Sequence, residues 1–432
     1  MTGRQAARSA GLAAGFLLAS LWIYAPALRG PFVSDDFHYL RDNPAVHELS
    51  HELLWAIANP RSATSATVEN WSPVHLLLHA LAWSAFGEDV LGHHLLNVGL
   101  HALGAGLFAL LLRRSGAREP AALLGGALFL AHPANVEAVA WISQLKSSAA
   151  LVLSLLALLA FPRRPALATA WFALALLAKP TAAYALPVAG LLAWARPAPE
   201  LEPQRRTTSA RWLGVWTVLF LVYAASEFAL FHRSGQDVRP VDPDPRVRAA
   251  TILANGGRYL LMAATGQGLS AFHEPVAIRS LGDPRLLGSL VAIGLLGART
   301  LAALRRRRPE AAYWLLAAVS FAPISQIFPF LYPVADRYLY FILPGLLGGA
   351  ILAVQDALER LAKPAAARAL LAAGVALALA FGWMAHARAR IWANPVLLFV
   401  DAAAHYPDGV AANLLRARRA AAAGEAAGAA AG

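Results

Sequence analysis

Acids, bases and cations must carry any chemistry in this chain, because its 432 residues include no cysteine and therefore no thiol nucleophile, thiolate metal site or disulfide. The most suggestive group is the adjacent pair Asp35 and Asp36 in FVSDDFHYLRDNP, Phe32 to Pro44, directly after a long apolar run. Neighbouring carboxylates repel, so one can hold a proton near neutrality and serve as a general base, or the two can share a divalent cation such as Mg or Mn. Their spacing does not separate these roles, and both residues also suit a solvated loop.

Other polar residues recur at comparable places. His75 and His79 stand four apart in PVHLLLHALAWSAF, a spacing that suits two metal ligands, although no third ligand follows from the pattern. The stretch AHPANVEAVAWISQLKSS carries His132, Glu137, Trp141 and Lys146, with Glu137 and Trp141 on one helical face. Lys179 interrupts the apolar LLAKPTAAY, where an ammonium either snorkels to the interface or meets an anion. FPFLYPVADRYLYFILP supplies Asp336, Arg337 and Tyr338. External carboxylates together with Lys179, Arg337 and optionally His132 would set an acid-base group opposite cations able to hold a lipid phosphate. His94, Asn97 and His101 form a helical stripe that must face inward, and hydrogen bonding between helices accounts for it as well as function does.

The elements that position these residues follow from composition. Hydrophobic residues make up 58% and charged residues 14%, against about a quarter charged in ordinary soluble domains. Apolar runs of roughly the 17 to 25 residues that cross a bilayer recur along the chain, so the fold class is an all-α polytopic membrane protein in a lipid bilayer. A net charge of +12 would suit nucleic acid, but the arginines lie at the ends of apolar runs: Arg113-Arg114, Arg163-Arg164, Arg205-Arg206 and Arg305 to Arg308. That is the pattern of cytoplasmic connections, and no nucleic-acid partner is expected.

Keeping the basic clusters on one side predicts about eleven transmembrane helices. They cover 10–28, 91–112, 119–132, 144–161, 166–178, 181–195, 212–231, 285–304, 311–328, 338–358 and 366–386. The N-terminus is then cytoplasmic and the C-terminus external. External loops span 29–90, with an amphipathic helix 73–86 laid along the outer face beside the bundle, and 232–284, with a second amphipathic piece at 251–262. The membrane domain is 1–386. The tail 387–432 should be a short external helical stretch with a disordered Ala/Gly-rich end.

These motifs, in this order, resemble the GT-C superfamily of membrane glycosyltransferases. The resemblance rests on the external Asp motif, WSPVHLLLHAL, HPANVEAVAW, LLAKPTAAYALP and ADRYLYFILP, and covers about residues 10 to 415. It is strongest with bacterial relatives of the transmembrane-and-TPR O-mannosyltransferases. It implies a GT-C-type bundle and a polyprenyl-phosphate-linked sugar donor, a hexose such as mannose. Transfer with inversion would go to a hydroxyl of a protein or glycan acceptor on the non-cytoplasmic side, the periplasmic face of a bacterial inner membrane. By position it implies Asp35 or Asp36 as catalytic carboxylate. His75, His132, Glu137, Lys179, Asp336, Arg337 and Tyr338 would bind substrate, with Lys179 and Arg337 on the donor phosphate. It also argues that the first span is retained despite Ala25-Pro26-Ala27, which resembles a cleavage site. The TPR array of that branch is reduced here to less than one repeat of about 34 residues, which weakens the case for a protein acceptor. Two rival functions fit some residues. A lipid-linked-sugar flippase or transporter would use His94 and His101, and an O-antigen polymerase or ligase would use Arg246, Arg248, Arg258 and Arg279 of the second external loop.

Overall fold

The computed structural model describes residues 3–67, 70–195, 203–234, 240–327 and 332–431, and every regular element among them is helical. Prolines and caps set where the helices begin. Pro73, Pro165, Pro245, Pro284, Pro364 and Pro395 each occupy a first helical turn, where the missing N–H costs nothing and the fixed φ is already helical. Asp89, Asp244, Asp283 and Asn394 cap their helices by accepting a backbone N–H.

Among the described residues seven helices are long and apolar enough to cross a membrane: Ala7–Ala27, Val90–Arg114, Ile142–Ala160, Thr207–Leu230, Pro284–Arg305, Asp336–Leu361 and Pro364–Ala393. Glu119–Ala131 and Pro133–Ala140 form an eighth, bent by 50°. The remaining expected crossings, 166–178, 181–195 and 311–328, appear as the shorter apolar helices Pro165–Ala178, Pro180–Trp194 and Glu310–Ile324. Helices thus form at all of the expected positions, and three of them are shorter than a single straight crossing requires. Residue 328, the end of the last of these, lies outside the described residues.

Helix Ile142–Ala160 forms the centre and is mostly buried, whereas Thr207–Leu230, Pro284–Arg305 and Pro364–Ala393 turn most of their apolar surface outward. A multi-pass membrane protein needs such an arrangement, with lipid as the solvent for the outer helices. Close approach depends on glycine at two crossings. A Cβ on Gly126 would stand 2.8 Å from the Ala105 carbonyl, and one on Gly345 2.4 Å from the Ala317 nitrogen.

Ion pairs gather the basic clusters at one end of the bundle. Glu119 pairs with Arg8 at 2.8 Å and Arg113 at 3.4 Å, and Arg118 pairs with Glu359 at 3.1 Å. Asp356 collects Arg308 and Arg360, and Glu310 binds Arg299. At the opposite end, helix Pro73–Phe86 packs beside the bundle against 165–178, 90–114 and 145–160. The tail folds as two packed helices, Pro395–His405 and Val410–Ala431. Its side chains from 423 onward lie outside the described residues, and the expectation of a disordered end falls there.

Candidate functional site

Two X-Pro steps build the site's corners. The residue before a proline is pushed out of the α region, and Lys179 before Pro180 is extended (φ −161°, ψ 133°), as is His132 before Pro133 (φ −67°, ψ 125°). Each step ends a helix and turns the chain at the end of the bundle away from the basic clusters.

The organising element is the segment 141–147, which leaves the bent span and enters helix Leu145–Ala160. Asp36 reaches it directly. Its Oδ1 accepts the Ser143 N–H at 2.7 Å and its Oδ2 the Val33 N–H at 2.9 Å. Ser34, with φ of +49°, makes the left-handed turn that folds Asp36 back on Val33. The Trp141 indole donates to the Val33 carbonyl at 3.1 Å, and Asn97 donates to the carbonyls of Trp141 and Ile142 at 3.1 and 3.3 Å. His94 donates to the Gly30 carbonyl at 3.0 Å. The inward stripe of His94 and Asn97 therefore sews the first external loop to the 141–147 segment, while His101 bridges Tyr340 and the Leu130 carbonyl.

The two aspartates differ sharply. Asp36 is 1% exposed, and burial outweighs its two backbone N–H donors to push its carboxyl up to about 7. Asp35 is half-buried and, among the described residues, accepts from the Ser34 hydroxyl at 3.3 Å, so it is the more accessible of the two carboxylates. A divalent cation shared by the pair fits poorly, because both Asp36 oxygens already accept a backbone N–H. Among the described residues no three acidic or imidazole side chains are placed to hold a metal, His75 and His79 included.

Two lysines lie along the same segment, and burial pushes the Lys179 ammonium well below its ordinary range. Lys179 donates to the Ser147 hydroxyl at 2.7 Å and lies 5.4 Å from the Phe341 ring. Lys146 donates to the Tyr39 hydroxyl at 3.3 Å, over the Tyr39 ring. Neither has a carboxylate partner within ion-pair distance among the described residues. His75 and His79 lie buried behind Tyr39, ring centroids 4.5 Å apart, with the Ser143 backbone beside His75 and no hydrogen-bond partner for the His79 ring among the described residues. Burial pushes both imidazoles down, His79 to about 3, so they stand beside the two lysines as neutral groups.

Arg337 is the third cation. It hydrogen-bonds to Glu137 through both its guanidinium and its backbone N–H, the latter at 2.7 Å, and lies between the rings of Trp141, Tyr332 and Tyr338. Glu137 and Trp141 meet at Arg337 even though Trp141 lies just past the end of helix Val136–Ala140. Of the residues singled out in the sequence, Asp35, Asp36, His75, Glu137, Lys179, Arg337 and Tyr338 therefore border the 141–147 segment or its immediate partners.

Two do not join them. His132 turns its Nε2 to the Ala263 carbonyl at 3.0 Å and caps the next turn through Nδ1. Asp336 points away from its neighbour Arg337 and binds His273 and Arg388 at 2.7 and 2.8 Å. In the turn Asp336–Tyr338 successive side chains diverge, so Asp336 faces His273 and Arg388 while Arg337 faces Glu137. Sequence reasoning gave no role to Tyr39, Ser147 or Lys146. The available signal was a lysine in the first turn of an apolar helix, at Lys146.

No family model matches the chain. A segment of 194 residues is 34% identical to the protein O-mannosyl-transferase Tmtc1 of Drosophila melanogaster, covering 42% of this chain. The chain spans only 22% of that relative's length. The crystal structure of ArnT from Cupriavidus metallidurans bound to undecaprenyl phosphate is similar over 91% of this chain and 77% of that one, with TM-score 0.44 and 16% identity. The Tmtc1 match agrees with the resemblance carried by the motifs.

Proposed function

We propose that the chain is a GT-C-type membrane glycosyltransferase that moves a sugar from a polyprenyl-phosphate donor to an acceptor hydroxyl at the end of the bundle opposite the basic clusters. The observation that supports this reading is that the loop bearing Asp35 is tied through Asp36 to the Ser143 N–H, in the same 141–147 segment that carries Lys146 and whose Ser147 hydroxyl accepts from Lys179. The similarity to Tmtc1 supports it, and mannose is the proposed sugar on that ground.

In this mechanism Asp35 accepts the proton of the acceptor hydroxyl as its oxygen attacks the anomeric carbon. The bond from that carbon to the phosphate oxygen breaks, and the lipid phosphate leaves with one more negative charge than it carried in the donor. Lys146 and Lys179 stabilise that charge as it develops, which is worth more in a site screened from water. Arg337, already held by Glu137 and an aromatic surround, offers its remaining donors to the same group. Asp36 holds the loop that presents Asp35. A single displacement inverts the anomeric centre. The proposed setting is a bacterial inner membrane with the site on the periplasmic face.

The test is transfer of labelled sugar from a short-chain polyprenyl-phosphate donor by the purified protein in lipid, with the anomer of the product determined. Inverted product, formed equally with and without chelator, is expected. Retention of configuration, or no transfer from any polyprenyl-phosphate donor, overturns the reading.

A further inference from the structure

Asp336 and Arg337 are consecutive, yet different parts of the molecule hold them. Arg337 rests on Glu137 in the site. Asp336, fully buried, accepts from His273 Nε2 at 2.7 Å and the Ser270 N–H at 3.3 Å on one oxygen, and from Arg388 at 2.8 Å on the other. Arg388 also meets Asp401 at 3.5 Å, and Asp401 accepts the Ala271 N–H at 2.9 Å. Arg258 donates to His273 Nδ1 at 2.9 Å and to the Tyr406 hydroxyl at 2.6 Å. Because His273 Nδ1 accepts from Arg258, its Nε2 carries the proton donated to Asp336.

Loop 266–283, the end of helix Pro364–Ala389 and the first helix of the tail thus meet on one carboxylate. Two acids, Asp336 and Asp401, balance two guanidinium groups, Arg258 and Arg388, in a place where an uncompensated charge is costly. Both Asp336 oxygens are taken up, which leaves little of the carboxylate for a sugar or phosphate. What the cluster does fix is the turn Asp336–Tyr338, and with it the direction in which Arg337 leaves the chain.

We propose that Asp336, Arg388 and Asp401 are positioning residues for Arg337, clamping the 336–338 turn to the C-terminal helices so that the guanidinium stays on Glu137. The activity part of this inference rests on the glycosyltransferase reading, and the exchange part does not.

Hydrogen exchange of segment 334–340 is measured in the full-length protein carrying Arg388→Met or Asp401→Asn. The Arg337 N–H, which donates to Glu137, should exchange about tenfold faster in both, within the range by which buried networks couple sites. Exchange unchanged from wild type overturns the proposal. Donor kcat/KM is then compared in a cycle with Arg337→Met. Arg388→Met should cost about tenfold in the wild-type background and little once Arg337 is gone, whereas equal losses in both backgrounds also overturn the proposal. Asp283→Asn, which keeps a capping oxygen for helix Pro284–Arg305 and lies outside this cluster, should alter neither readout, and a shift as large as that of Arg388→Met would mean that the effect is general and overturn the assignment. Should Arg388→Met fail to fold, Asp401→Asn keeps the Asp336–Arg388 pair and carries both measurements. If the wild-type protein transfers no sugar, the glycosyltransferase reading falls and the exchange result still decides this one.

Discussion

Asp35 and Asp36 show how neighbours of one chemical type acquire different tasks. Asp35 is accessible and has one weak partner, so it can meet a substrate, whereas Asp36 is enclosed and grips two backbone N–H groups. Asp35→Asn should therefore lower transfer by about 10² to 10⁴-fold, the usual worth of a general base, with thermal unfolding unchanged. Asp36 also makes a prediction in pH. Its carboxyl is raised in the folded protein from the ordinary 3.8 to about 7, so between those values the folded state binds more protons than the unfolded chain. The stability linked to this group is complete below about pH 4 and is lost as pH rises through about 7. Unfolding temperature measured across that window should fall with pH in wild type and fall less in Asp36→Asn. An identical slope in the two proteins would contradict the buried assignment. Lys146→Met and Lys179→Met should each cost about 10² in turnover at saturating donor, the size expected for removing a charge that stabilises the leaving group.

At the scale of elements, the X-Pro breaks and the glycine contacts make the geometry. Pro180→Ala would allow helix Pro165–Ala178 to continue and carry Lys179 around the helix axis, away from Ser147. Transfer should then drop at least tenfold, as expected for misplaced catalytic groups, with little loss of stability, measured by turnover beside thermal unfolding. Gly345→Leu, which would drive a side chain into the backbone at Ala317, should do the reverse and destabilise the fold by about 1 to 3 kcal/mol or more. Apolar runs and prolines made most of the helices legible in the sequence, because both act locally. The shortness of Pro165–Ala178 and Pro180–Trp194 was legible too, since Pro180 divides the two apolar stretches, whereas their packing against 145–160 and 310–321 was not. The separate partners of Asp336 and Arg337 were not legible, because sequence proximity says nothing about the direction in which a turn sends two side chains. Lys146 acquires its place only when Tyr39, from a distant loop, closes over it.

For the whole molecule, the placement of basic clusters at one end and the carboxylate-lysine site at the other was legible from charge alone, since the positive-inside pattern needs no contacts to be read. The ion pairs joining Arg8, Arg113 and Arg118 to Glu119 and Glu359 bear out the common end. Absence of cysteine makes the sidedness directly measurable. Single variants Ser280→Cys and Arg306→Cys should label from opposite sides of a sealed membrane, Ser280→Cys with an impermeant reagent added outside and Arg306→Cys only after permeabilisation. Assembly of the site itself was beyond sequence reasoning, because its parts come from the first external loop, segment 141–147, the Lys179 corner and the late turn, and only packing of the central helix brings them together.

The measurement that bears most directly on the central claim is donor turnover by the reconstituted protein, comparing wild type with Asp35→Asn and with the double variant Lys146→Met/Lys179→Met under identical lipid and acceptor conditions. Loss of sugar transfer in both variants, with the folded state intact, is predicted. Turnover equal to wild type in either would contradict the account: in the first, Asp35 is not the base, and in the second, the two lysines do not hold the leaving phosphate.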